Sequence, residues 1–92
     1  MGRPDVDTYE AIMMHVERAV RLSALLYTLP WNSTRRRVVA LEVCHALLES
    51  RRVARPTGNQ TIISALDGML AVVERSCPRE LEEVKGRTGG SF

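Results

Sequence analysis

"STRRRVVALEVCHALLESRRVA", residues 33–54, is the stretch on which the fold turns. Set out at the roughly 100° per residue of an α-helix, Ala40, Leu41, Cys44, Leu47 and Leu48 form one apolar arc. Val39, Val43 and Ala46 form a second beside it. The polar stripe that remains is narrow: Arg35, Glu42, His45, Glu49 and Arg52. A helix with so much apolar circumference has to be enclosed by neighbours. The stretch therefore predicts a central helix over about 33–54, capped by Asn32 or Ser33.

Two flanking patterns supply the neighbours. Upstream, Ile12, Val16, Ala19, Val20, Ser23 and Tyr27 recur at spacings of three and four, which predicts a helix over about 7–29. Asp5, Asp7 and Glu10 suit its positive end, and Pro30–Trp31 stops it. Leu22, Leu25 and Leu29 fill the opposite side, so the end of this helix also needs enclosure. Downstream, "RPTGNQT" (55–61) breaks the chain, and Thr57 with Gln60 fits a capping box. A third helix follows over about 59–76, with Ile62, Leu66, Met69, Leu70, Val73 and then Cys77 on one face. Met13, Met14 and Met69 read as gap-filling core. "CPRELEEVKG" (77–86) predicts a short helix over 78–85, with Pro78 at its first position and Gly86 past its end.

Ninety-two residues make one domain. The expectation is an all-α fold over residues 1–86, a three-helix up-down-up bundle with a short fourth helix, and a flexible tail at 87–92. Helices 1 and 2 carry more apolar surface than helix 3 covers, and a chain this short often supplements its core by association. That predicts a homodimer built on helices 1 and 2.

Composition excludes several classes. No apolar run approaches the roughly 20 residues of a membrane span, and the polar faces mix signs rather than being uniformly basic. "MGRPDVD" (1–7) is polar and acidic, which predicts no signal peptide. Cys44 and Cys77 are the only cysteines, 33 residues apart and on apolar faces. They read as buried, reduced core thiols in a cytoplasmic protein. There is no nucleophile elbow, zinc motif, paired-cysteine motif or phosphate loop. His15 and His45 stand on different helices, and His45 with Glu49 reads as a surface pair. The expectation is a non-enzymatic protein with no cofactor and no metal.

The charge pattern is more informative than its total of +2. Residues 31–56 hold six arginines against two glutamates, while both flanking segments are slightly acidic. Arg35, Arg36 and Arg37 crowd the start of helix 2, where the helix dipole disfavours cations by roughly 0.3–1 kcal/mol each. Arg51, Arg52 and Arg55 crowd its end. Helix starts already favour anions, and guanidinium groups bind phosphate bidentately. Arg35 and Arg51 lie 16 residues apart, about 24 Å along a helix, a span that suits a row of phosphates. The six arginines therefore predict a nucleic-acid-binding site. The competing reading is that acids of helix 1 or of the acidic C-terminal segment neutralise them.

Ala19 and Val20, then Tyr27, Pro30, Asn32, Arg35 and Arg36, Val38, Leu41 and Cys44 resemble the first two helices of the small RNA-silencing suppressor of insect nodaviruses. The resemblance covers roughly residues 16–50. It implies an all-helical protein, dimerised through its first two helices, that binds duplex RNA along its second. This chain departs from that pattern in its long, regular third helix and in the apolar residues late in helix 2. Only Arg35 and Arg36 carry over as RNA contacts.

Together these expectations describe a homodimer that binds duplex RNA through its phosphates, since few aromatic or amide side chains are present to read bases. The alternative is a protein–protein interaction module, an adaptor, inhibitor or chaperone-like subunit, using the apolar faces of helices 1 and 2.

Overall fold

The computed structural model describes residues 6–30 and 32–87. The expectations for Asp5, Trp31 and the tail beyond Arg87 lie outside them. The described residues form α1 (Val6–Leu26), α2 (Thr34–Ala54), α3 (Gln60–Ser76) and α4 (Pro78–Arg87), with a 3-10 turn over Arg55–Thr57 and no strand. The chain is all-α, and none of these helices is long and apolar enough to cross a membrane.

Helix boundaries follow local hydrogen-bond chemistry. Ser33 caps α2 from extended backbone, and its Oγ accepts from the Arg36 N–H at 3.1 Å. Helix α1 stops at Leu26, short of the expected Leu29, because Thr28 turns back on it. Both the Thr28 N–H and its hydroxyl donate to the Leu25 carbonyl, at 3.0 and 2.8 Å. The Thr57–Gln60 capping box does not form. The Thr57 hydroxyl instead donates to the Ala54 carbonyl at 2.6 Å and accepts from the Asn59 N–H at 3.1 Å. Asn59 caps α3 by accepting from the Ile62 N–H, and Gly58 makes the bend at φ +69°. Helix α4 runs through Gly86 to Arg87, further than expected, and an Arg87–Glu83 pair at 2.8 Å closes its last turn.

Helix α2 occupies the centre. Ile12 of α1 and Leu66 of α3 meet Ala54 at its C-terminal end. Ala19 packs with Val39, Val43, Ala46 and Leu47, joined by Leu22, Leu26, Leu29, Leu70 and Val73. On the remaining side, Leu81 and Val84 of α4 cover Cys44 and Leu48. Both predicted arcs of α2 are thus filled within the chain. The one buried polar side chain among the described residues, Ser50, donates to the Ala46 carbonyl at 2.9 Å and leaves nothing unsatisfied.

The apolar surplus sits elsewhere than the sequence indicates. On α2 only Val38 is an exposed large apolar residue. Met13, Met14 and Met69, expected in the core, are exposed. On α3, Leu66, Leu70 and Val73 take the space against α2 and leave Met69 at the edge. On α1, Ile12 and Ala19 face inward, while Val6, Met13 and Val20 remain exposed, as does Tyr27 just past its end. The uncovered surface therefore belongs to α1 and α3.

Candidate nucleic-acid interface

The arginines divide into two groups at the ends of α2. At its start, Arg35 is exposed and Arg36 half-buried, and neither has an ion pair among the described residues. Arg36 lies near Cys77 at the junction of α3 and α4, where its charge opposes the rise that burial gives the Cys77 thiol. Arg37 pairs with Glu83 of α4, whose other oxygen holds Arg87. Arg79, in the first turn of α4, faces the same place. A groove of about 650 Å³ is lined by Asn32, Ser33, Arg36, Arg37, Pro78, Arg79 and Glu80 together with Ser76.

Two helix starts, those of α2 and α4, thus open on one groove, each carrying cations where its own dipole disfavours them. Arg79 is not among the six arginines expected from the sequence. The available signal was its position: like Arg35, Arg36 and Arg37, it stands at the wrong end of its helix. Arg36, Arg37 and Arg79 against Glu80 and Glu83 leave this corner positive.

The second group is mostly neutralised. Arg51 donates from Nε to Asp67 of α3 at 2.6 Å. Arg52 donates twice to Glu49, one turn back, at 3.0 and 2.7 Å. Arg55, in the 3-10 turn, is exposed and has no ion pair among the described residues. Between the two groups, the exposed stripe of α2 carries Glu42, His45 and Glu49. Arg18 of α1 reaches Glu42 at 3.4 Å, and His45 lies 4.0 Å from Glu49. A continuous basic track along α2 is therefore absent, and the cations form separate end clusters. The neutralising acids are Asp67, Glu83 and Glu49 rather than those of α1.

Both thiols are buried and unpaired, as expected. Burial pushes Cys44 up to about 12, assisted by the charges of Cys77 and Glu80. Burial also raises Cys77, against the opposing pull of Arg36. Neither is a poised nucleophile at neutral pH. The described residues hold no group of three or more His, Cys, Asp or Glu side chains placed for a metal ion. No known protein family, curated protein or solved structure matches the chain.

Proposed function

We propose that the protein binds nucleic acid, with duplex RNA as the favoured ligand, through backbone phosphates and without catalysing a reaction. One observation carries this reading: Arg36, Arg37 and Arg79 line a single groove at the converging starts of α2 and α4, with Arg35 exposed in the same first turn of α2. Cations there oppose the helix dipoles, so their concentration has a rationale in anion binding that stability alone does not supply. On this reading the chain is an up-down-up three-helix bundle in a cytoplasmic setting, with α4 as the brace that brings Arg79 to α2. Arg55 is a second phosphate contact past the far end of α2, about 30 Å from Arg35 along the helix axis. The interrupted stripe between them contacts no phosphate.

The resemblance to the nodaviral suppressor supports the same ligand through Arg35 and Arg36. A protein-interaction module remains the second reading, and the exposed apolar side chains of α1 and α3 favour it.

The test is a gel shift with duplex RNA, duplex DNA and single strands of equal length, each at two salt concentrations. The parent protein should favour the RNA duplex. An Arg35→Gln/Arg79→Gln variant should bind more weakly, with its log–log salt slope reduced by nearly two units. A parent protein that binds no nucleic acid at low salt, or a variant that binds as well as the parent, removes this reading and leaves the protein-interaction one.

A further inference from the structure

Met14 and Leu25 are exposed on one side of α1, and on another side Val6, Met13 and Val20 recur every seven residues, with Tyr27 following just past the helix end, so these four form a stripe in the manner of a coiled-coil seam. They are exposed by 70%, 56%, 56% and 86%. Alongside them, Ala19, Ser23, Leu47 and Val73 floor a groove of about 260 Å³ whose far wall is Met69 and Val72 of α3, exposed by 37% and 48%. Next to Met69 on α3 stand the small exposed residues Ala65 and Gly68, and the space beside Gly68 is open. None of the described residues covers this face.

We propose that a second copy of the chain covers it, packing α1 against α1 of the partner subunit in antiparallel fashion. The first argument is area. An aromatic side chain such as Tyr27 presents about 150–250 Å², and valine and methionine less. At these exposures Val6, Met13, Val20, Tyr27, Met69 and Val72 together hold roughly 500 Å² per chain. The polar rim of a standard interface brings such a core to about 800 Å² per partner. The second argument is self-complementarity. In an antiparallel pair centred between Val16 and Glu17, Val6 meets Tyr27 of the partner subunit, and Met13 meets Val20 of the partner subunit. Every member of the stripe then finds an apolar counterpart, and the small residues Ala65 and Gly68 let the α3 helices close over the same seam. This dimer uses α1 and α3, not α1 and α2, and it does not depend on the nucleic-acid reading.

The arrangement has a built-in marker. Glu17, exposed on the outer flank of the stripe, comes beside Glu17 of the partner subunit at the two-fold axis, where like charges repel. Light scattering and sedimentation of the parent protein should give about twice the 10.3 kDa chain mass. Val20→Glu and Met69→Glu, both at exposed positions, should give monomers with intact helical circular dichroism. Glu17→Gln should tighten the dimer by a few-fold, because it relieves the repulsion. A parent protein that stays monomeric at its highest soluble concentration overturns the proposal and leaves the face to a different protein. A dimer indifferent to Val20→Glu, or one that Glu17→Gln leaves unchanged or weakens, overturns this packing.

Discussion

The Nε of Arg51 donates to Oδ1 of Asp67 at 2.6 Å and so fastens the last turns of α2 to the middle of α3. The Arg51 side chain is largely covered, which shields the pair from solvent screening more than an open surface pair. Arg51→Gln should therefore lose stability, by about 0.5–1 kcal/mol in urea denaturation. Arg55→Gln, at an exposed position with no ion pair among the described residues, should be neutral. A double-mutant cycle with Asp67→Asn isolates the pair, and a coupling near zero would show that Arg51 does not hold α3 in place.

The start of α2 should respond in the opposite sense at one position and in the same sense at another. Arg35 opposes the helix dipole and has no ion pair among the described residues, so Arg35→Gln should leave stability unchanged or raise it by up to about 1 kcal/mol. Arg37 opposes the same dipole but pairs with Glu83 across 46 residues of sequence. Arg37→Gln should cancel the two effects or lose a few tenths of a kcal/mol, on the scale of exposed pairs. Thermal melts of the two variants side by side read the difference. A destabilised Arg35→Gln would mean that Arg35 has a structural partner after all.

Burial of Cys44 has a pH consequence. Its thiol ionises near 12 in the folded chain against 9.0 for an ordinary cysteine. A group whose ionisation is raised by folding contributes fully below its unfolded value and loses that contribution as pH rises toward the folded one. Stability should thus be insensitive to Cys44 through neutral pH and decline above about pH 9, by up to roughly 1.4 kcal/mol per pH unit. Arginine, lysine and tyrosine groups share this window, so the measurement is the difference between parent and Cys44→Ala. The variant should start lower, because the core loses a sulfur, and fall less steeply. Parallel curves would show that Cys44 does not carry the alkaline limb.

Those outcomes separate what local sequence can show from what it cannot. The extent of α2 was legible because a cap at Ser33 and two apolar arcs each demand a helix in the same place. Its centrality followed from the same arcs. The early stop of α1 was not legible: periodicity runs on past Leu26, and the Thr28 hydroxyl ends the helix by a side-chain bond that periodicity does not see. The methionines were misplaced for a related reason. A face read at 100° per residue does not say which edge of it the neighbouring helix covers. At the candidate site, the clustering of Arg35, Arg36 and Arg37 was plain. Their company was not, since Arg79, Glu83 and Asp67 arrive through tertiary packing of α3 and α4.

That dependence on α4 gives the last prediction. Leu81 and Val84 seal Cys44 and Leu48, and the same helix carries Arg79 and Glu83 to the arginines of α2. In the native protein Cys44 should react slowly with a thiol reagent, because it is buried and protonated. Leu81→Ala removes a fully covered side chain and should destabilise the fold by about 2–5 kcal/mol. Met69→Ala, the control at the exposed edge of α3, should change stability by less than about 1 kcal/mol. If α4 opens as a unit, Leu81→Ala should also accelerate labelling of Cys44 many-fold and weaken nucleic-acid binding, while global helix content stays near that of the parent. Slow labelling of Cys44 in a folded Leu81→Ala variant would show that α2 is sealed by something other than α4. The positive corner would then be held together without it.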